Sequence, residues 1–259
     1  MTGQYPDPVL DHLAIGTGDL DDGWALFGGV LGGRWAYGHD SPGYWWGQLA
    51  FGTGPKIELL TPTGGPDAAF LERFLEAHGP GPHHYNFQVP DLRATLRRVA
   101  DLDIEPVQVS LDEPRYKEAF VRARSAHGIV IQIVEQEDPP SSTGPPAGLG
   151  TPAAAADLLL VEQHVQDLGA ALRLFTTVFE GSVDDSGTDH ADVVWPHGGR
   201  IRLVRDRSPD AGGRPMPGYV HHVEFGRSGG DSLDDDAATA MKSLASRLGV
   251  EVSLREEGL

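Results

Sequence analysis

Cysteine is absent from this 259-residue sequence, which excludes disulfide bonds, zinc–thiolate sites and thiol nucleophiles. Basic residues are scarce as well: 20 Lys and Arg face 38 Asp and Glu, and the formal charge is −18. Because phosphate binding relies on clustered Lys and Arg, this balance argues against a nucleic-acid partner. No apolar run approaches the length of a membrane span, and the N-terminus lacks the features of a signal peptide. The sequence therefore predicts a globular cytoplasmic protein that does not bind membranes.

Glycine and proline are abundant, with 34 and 20 residues, which indicates many short elements joined by turns. The clearest break in the pattern is QEDPPSSTGPPAGLGTPA at 136–153, which has no apolar periodicity and is typical of a linker. We therefore predict a first module over residues 8–136, a linker over 137–153 and a second module over 154–259.

An internal repeat is present within the first module. His12 and Asp19 recur as His84 and Asp91, both 72 residues later, and each pair spans an alternating strand, a turn and the start of an amphipathic helix. Asp19 and Asp91 are predicted helix N-caps. The predicted helices are 20–31 and 92–102, and each is followed by three extended segments: 34–37, 44–51 and 56–60, then 105–109, 119–123 and 129–135. The pattern predicts βαβββ twice.

The second module repeats the first in a weaker form. DLDDGWALFGGVLGG at 19–33 aligns with DLGAALRLFTTVFEG at 167–181, PKIELL corresponds to GRIRLV, and HHYNF corresponds to HHVEF. Only SLREEGL follows the third predicted element of the fourth unit, so this unit is predicted to be clipped. The predicted fold class is α+β, with tandem βαβββ units in two paired modules, the C-terminal one degenerate and clipped.

Strand alternation gives the first module four side chains capable of binding a metal. Each of its four inner strands has one apolar face, and the opposite faces carry His12, Glu58, His84 and Gln132. A lone His on a strand is usually a structural residue, but these positions recur at equivalent points of two units. Two imidazoles and a carboxylate suit Zn, Fe, Mn, Co or Ni. Two units related by a pseudo-twofold would bring the four groups to one divalent cation.

Four segments resemble the vicinal oxygen chelate superfamily, which includes glyoxalases, methylmalonyl-CoA epimerases and extradiol dioxygenases: LDHLAIGTGDL, PKIELLTP, FLERFLEAHGPGPHHYNFQVPDL and GIVIQIVEQ. The resemblance covers about residues 8–136, and more weakly 156–225. It implies metal ligands at His12, Glu58, His84 and Gln132, with His83 as a neighbour of the site.

Two departures from the family pattern bear on the reaction. The family usually has Glu at the position of Gln132, and an amide cannot serve as a proton-transfer base. Epimerases also use a carboxylate from the strand before KIELL, where residues 41–47 offer none. Epimerisation needs both a base and an acid, so epimerase activity proper is disfavoured and Glu58 is left as the candidate catalytic base. In the second module Leu160 and Arg202 stand at the positions of His12 and Glu58, which predicts a structural role.

A substrate pocket is predicted from the aromatic and polar residues beside the metal ligands: Trp35, Tyr44, Trp46, Asn86 and Arg122. Three functions remain open. The first is a metal-dependent isomerase or lyase that polarises a small oxygen-rich substrate, with Glu58 or metal-bound water handling the proton. The second is Fe(II)-dependent dioxygen activation, and the third is a binding protein that sequesters an aromatic ligand. The expected partner is a small molecule, and a homodimer is an assembly that the sequence leaves open.

Overall fold

The computed structural model describes residues 5–52, 54–137, 142–145, 156–207, 218–228 and 233–257. The first module contributes eight strands: β1 Val9–Gly16, β2 Arg34–Ser41, β3 Tyr44–Ala50, β4 Lys56–Pro62, β5 Gly81–Gln88, β6 Val107–Ser110, β7 Tyr116–Val121 and β8 Val130–Gln136. Its helices are α1 Leu20–Gly23, which continues as a π-helical segment Trp24–Val30, α2 Ala69–His78 after a 3₁₀ turn Pro66–Ala68, and α3 Leu92–Ala100.

The second module contributes six strands: β9 Asp157–Val165, β10 Ser182–Ser186, β11 His190–Val194, β12 Arg200–Arg205, β13 Gly218–Ser228 and β14 Glu251–Glu257. Its helices are α4 Leu168–Arg173, which continues as a π-helical segment Leu174–Val178, and α5 Asp235–Arg247. Within the described residues, one strand, β14, follows α5.

Each module forms its own sheet. The order is β2-β3-β4-β1-β5-β8-β7-β6 in the first and β10-β11-β12-β9-β13-β14 in the second. The first strand of each unit pairs in parallel with the last strand of that unit, as β1 does with β4, β5 with β8 and β9 with β12. The two modules of paired βαβββ units are therefore confirmed. The domain limits 8–136, 137–153 and 154–259 stay a prediction, although the two sheets take their strands from these two ranges.

The repeated helices differ from the predicted ones. Asp19 and Asp91 cap them as expected, since their side chains accept from the backbone N–H groups of Asp21 and Ala94. The segment predicted as a helix over 20–31 is α-helical only to Gly23, and further on Leu31 N–H donates to Leu26 O, five residues back. The aligned segment of the second module, Leu174–Val178, is π-helical as well although it contains no glycine, so the wider turn does not depend on glycine. The second predicted helix ends at Ala100 rather than at residue 102.

The predicted apolar faces of the inner strands supply buried core residues. Their side chains are 0–2% exposed: Leu13, Ile15, Ile57, Leu59, Tyr85, Phe87, Val89, Ile129, Ile131 and Ile133. Burying such side chains supplies most of the driving force for folding. The ligand-bearing faces lie opposite this core, as alternation requires.

The chain divides into two compact units, each built from separate stretches of sequence. The first comprises Met1–Asp11, His84–Pro139 and Leu160–His221. Within it, the ring of Phe87 stacks on that of Phe179 with centroids 4.1 Å apart, and Arg98 Nε donates to Val178 O at 3.1 Å. A strand and a helix of the first module thus pack on the π-helical region of the second.

The second unit comprises His12–His83, Pro140–Leu159 and His222–Leu259. Within it, Phe225 of β13 packs on Phe51 and Phe27, with ring centroids 4.9 and 6.3 Å away, and Arg227 Nη2 donates to Val30 O at 3.0 Å. Each unit therefore combines elements of both modules.

The described part of the predicted linker makes specific contacts. Ser142 Oγ accepts from Gly38 N–H at 3.1 Å, and Thr143 N–H and Oγ1 donate to Gly38 O at 2.9 and 2.8 Å. The rest of 138–153 lies outside the described residues. Of the helices in the described ranges, none combines the length and the hydropathy that crossing a membrane requires.

Candidate metal centre

His12 and Glu58 are brought together by two neighbouring parallel strands. In the register of β1 and β4, His12 lies beside Lys56 and Ala14 lies beside Glu58. Since side chains two residues apart share a face, His12 and Glu58 project from the same side of the sheet. His12 Nε2 lies 3.5 Å from Glu58 Oε2. The parallel pairing of β1 with β4 therefore brings the two side chains close together.

Gln48 completes this part of the centre, and no sequence motif points to it. It is the register partner of Glu58 on β3, and its Nε2 donates to Glu58 Oε2 at 2.7 Å. The same nitrogen lies 3.3 Å from Nδ1 of His12. Antiparallel pairing of the predicted strands 44–51 and 56–60 would have placed Gln48 opposite Glu58, so the signal was present once the register was known.

The third member of the cluster is His84, on β5. His12, Glu58 and His84 each offer one potential ligand atom, and these three atoms all lie within 4.8 Å of one another. The three residues are only 4%, 6% and 7% exposed. Buried ionisable groups gathered this closely are costly unless they are paired or bind a cation. The arrangement is a candidate metal site with two imidazoles and one carboxylate.

Gln132 lies in a chain of polar side chains on β5, β7 and β8. Asn86 is its register partner, and Asn86 Nδ2 donates to Gln132 Oε1 at 2.8 Å. Gln132 Nε2 donates to Glu118 Oε2 at 2.9 Å. Glu118 is a carboxylate that the sequence analysis left out. These bonds orient the carboxamide of Gln132 and leave its oxygen one further lone pair; its role as a fourth ligand stays a prediction.

Two of the predicted pocket aromatics, Tyr44 and Trp46, lie on β3, and the third, Trp35, lies on β2. Tyr44 and Trp46 alternate with Gln48 and so share its face, where Trp46 packs with Ala14, Leu60 and Leu71. Trp35 instead belongs to a cluster with Trp24 and Trp45, whose ring centroids lie 6.0 and 6.1 Å from its own. Tyr44 and Trp46 therefore flank the face that carries Gln48, whereas Trp35 packs beside the π-helical segment.

Two further predicted residues have distinct settings. His83 packs edge-on against Phe70 and Phe74, and burial lowers its pKa to about 4, so it is neutral at physiological pH. This fits the expectation that His83 is a neighbour of the site. Arg122 is exposed in the turn after β7, where its carbonyl accepts from Ser125 and Ala126.

The equivalent positions of the second module are used for other contacts. Leu160 is buried, and Arg202 forms a bidentate pair with Asp192 at 2.7 and 2.8 Å. Burial opposes ionisation of Asp192, but hydrogen bonds from Arg202 and Arg200 outweigh it and hold the pKa of this carboxyl below its ordinary value. His222 Nε2 lies 2.7 Å from Ser253 Oγ. The residues aligned with Glu58 and His84 are thus engaged in other contacts, and the structural role of this module stays a prediction.

Comparison with known proteins agrees with this architecture. Residues 11–120 match the family model described as the glyoxalase/bleomycin resistance protein/dioxygenase superfamily. A comparison with curated protein sequences finds no significant match. The resemblance to the vicinal oxygen chelate superfamily is confirmed.

Three solved structures share the fold over nearly the whole chain. A mutant of 4-hydroxymandelate synthase from Streptomyces coelicolor is 17% identical with a TM-score of 0.59, over 94% of this chain and 76% of the other. A hypothetical protein from Staphylococcus aureus is 11% identical with a TM-score of 0.63, over 96% and 99%. The Mn(II)-bound glyoxalase from Novosphingobium aromaticivorans is 13% identical with a TM-score of 0.52, over 97% and 73%. Identities this low establish the fold alone.

Proposed function

We propose that this chain, whose first module carries the vicinal oxygen chelate signature, is a divalent-metal-dependent enzyme of the isomerase or lyase type. Its substrate would be a small oxygen-rich molecule. The observation that carries the proposal is the buried cluster of His12, Glu58 and His84, with three potential ligand atoms within 4.8 Å of one another.

The residues present fit a divalent transition metal. Two imidazoles and one carboxylate suit Zn, Fe, Mn, Co or Ni better than Mg or Ca, which prefer oxygen ligands. Three protein ligands also leave coordination positions open, as in catalytic rather than structural centres. Gln132 is the proposed fourth ligand, through Oε1. The Mn(II)-bound glyoxalase that shares the fold supports a metal in this scaffold.

The chain's own groups would orient the substrate and handle the proton. When bound, the cation would act as a Lewis acid on adjacent substrate oxygens. Glu58 is the proposed proton acceptor, through a carboxylate oxygen that is not bound to the cation, and the hydrogen bond from Gln48 fixes the direction of this carboxylate. Asn86 lies beside Gln132 and can donate to a substrate oxygen. Tyr44 and Trp46 would provide an apolar wall, and the charge of −18 disfavours an anionic substrate.

Elemental analysis of protein purified without chelators tests the metal site. His12→Ala and His84→Ala are expected to lose one equivalent of transition metal relative to the parent protein. The matched control is His39→Ala, since His39 is an exposed histidine on β2. Metal content unchanged in both site variants and in the control would overturn the proposed centre.

The Co(II)-loaded protein tests the reaction type. Acetohydroxamate, a chelator with two adjacent oxygens, is expected to change the visible spectrum, because open coordination positions would accept both oxygens.

The donor set of two imidazoles and one carboxylate is also that of Fe(II) oxygenases. Oxygen consumption that requires Fe(II) would favour the dioxygenase function instead. A purified protein without metal that binds aromatic ligands would favour the sequestering function.

A further inference from the structure

A second cluster of ligand-type side chains lies in the second module. Glu162 and His164 are two residues apart on β9, so they share a face, and His221 lies on the neighbouring strand β13. Each of the three offers one potential ligand atom, and these atoms all lie within 4.8 Å of one another. All three residues are partly exposed, so ions in solution can reach them.

The contacts within the cluster orient its central imidazole. His164 Nε2 lies 3.0 Å from Glu162 Oε1, and on the other side His164 Nδ1 lies 3.3 Å from the hydroxyl of Tyr219. The ring centroids of His164 and His221 are 4.7 Å apart. A histidine that binds a metal through one nitrogen usually has the other held by a hydrogen-bonding group, and Tyr219 occupies that position.

The backbone keeps β9 and the start of β13 in close approach at this point. A Cβ added to Gly218 would lie 2.3 Å from His164 O and 2.1 Å from His127 O. In the same region, the buried side chain of Gln163 on β9 donates to His127 O at 2.8 Å. Gly218 therefore allows a strand separation that a larger residue would prevent, and the cluster is assembled by the fold rather than by side-chain flexibility.

This cluster is distinct from the positions that the internal repeat relates to the first centre. Those positions hold Leu160, Arg202 and His222, and Arg202 is engaged by Asp192. Glu162 and His164 align with Ala14 and Gly16, and His221 aligns with His83, so none of the three aligns with a ligand of the first centre. Two imidazoles and one carboxylate form a borderline-soft donor set.

We propose that Glu162, His164 and His221 bind a divalent transition cation of the zinc, cobalt, nickel or copper class. The cation joins β9 to β13, so its binding stabilises the folded second module by linkage. Tyr219 acts as a positioning residue through His164 Nδ1. The site is independent of the centre at His12, Glu58 and His84.

Zinc binding to the full-length His12→Ala/His84→Ala protein tests this site alone. Isothermal titration with zinc chloride is expected to give one equivalent bound and a melting temperature that rises with zinc concentration. Adding His164→Ala or His221→Ala is expected to abolish both effects, whereas His190→Ala leaves them unchanged. His190 is a matched control because it also contacts a carboxylate, with its Nε2 3.3 Å from Asp185 Oδ2.

Two milder substitutions keep the proposal open to refutation if an alanine variant does not fold. Glu162→Gln preserves side-chain shape and is expected to weaken zinc binding, and Tyr219→Phe is expected to weaken it about tenfold through loss of the support for His164. Zinc stoichiometry and affinity equal to the parent in folded Glu162→Gln and Tyr219→Phe would overturn the proposal. Loss of metal only on mutation of His12 or His84 would also overturn it, while leaving the first centre intact.

Discussion

The carboxamide of Gln48 donates a 2.7 Å hydrogen bond to the carboxylate of Glu58 across the paired strands β3 and β4. Both side chains are buried, at 6% exposure each. The bond therefore forms where water competes little, and it sets the direction in which Glu58 presents its oxygens. Gln48 supports the candidate ligand without belonging to the ligand set.

Replacing Gln48 by Met is expected to weaken metal binding at the first centre by about tenfold. This is the usual effect of losing a group that hydrogen-bonds to a metal ligand. Methionine keeps the length and volume of the side chain but cannot donate to Glu58. The dissociation constant, measured by competition with a chromophoric chelator, checks the effect.

Gln88→Met is the control for this substitution. Gln88 is also a buried amide, and its Nε2 donates to Asp11 Oδ1 at 3.1 Å. Its loss is expected to reduce stability with little change in metal affinity. Equal metal affinities of Gln48→Met, Gln88→Met and the parent would show that Gln48 has no part in the centre.

Gln132→Ala is expected to lower metal affinity by less than His12→Ala does, because a neutral amide oxygen is a weaker ligand than an imidazole. Glu118→Gln, which changes the carboxylate that accepts from Gln132 at 2.9 Å, is expected to leave the metal in place. Metal analysis of the two purified variants shows whether Gln132, Glu118 or neither is needed for metal binding. Full metal occupancy and parental affinity in Gln132→Ala would remove this residue from the proposed ligands.

Asp192 is expected to make stability pH-dependent in acid. Its pKa in the folded protein lies below the ordinary 3.8, so its contribution is present above that value and is lost as the pH falls through the folded pKa. Asp192→Asn is expected to cost about 1.5–3 kcal/mol at pH 7, the usual range for hydrogen bonds to charged groups. The difference between the two proteins in urea unfolding is expected to narrow as the pH falls below 3.8; a difference that grows as the pH falls would contradict this role.

Phe87→Ala is expected to destabilise the protein by about 3–5 kcal/mol, since it removes a fully buried ring that stacks on Phe179. Phe70, 38% exposed on α2, is the matched position, and Phe70→Ala is expected to cost about 1 kcal/mol. The midpoint of urea unfolding measures both changes. Comparable losses at the two positions would show that the stacked pair is not a central part of the core.

Much of the architecture could be predicted from periodicity and repetition. The apolar residues at every second position of β1, β4, β5 and β8 fixed which face enters the core and so which face carries His12, Glu58, His84 and Gln132. The caps Asp19 and Asp91 marked the helix starts. The π-helical continuation of α1 could not be predicted in this way, because it depends on how the segment packs rather than on its local pattern.

The register between strands accounts for most of what the sequence analysis missed. Gln48 and Glu118 lie in predicted strands or at their edge, yet their roles follow from which residue each one faces on the neighbouring strand. The cluster of Glu162, His164 and His221 could not be predicted for a related reason. Its residues do not align with the ligands of the first centre, and it forms where β9 and β13 lie side by side.

The sequence by itself determined the βαβββ repeat, the faces of the strands and the identity of three buried ligand-type side chains, since these depend on local alternation and on spacing along the chain. Only the tertiary structure decided which polar side chains support them, which aromatic residues share their face, and that a second cluster exists. Such relations arise between residues distant in sequence, and strand pairing alone sets the distances between them.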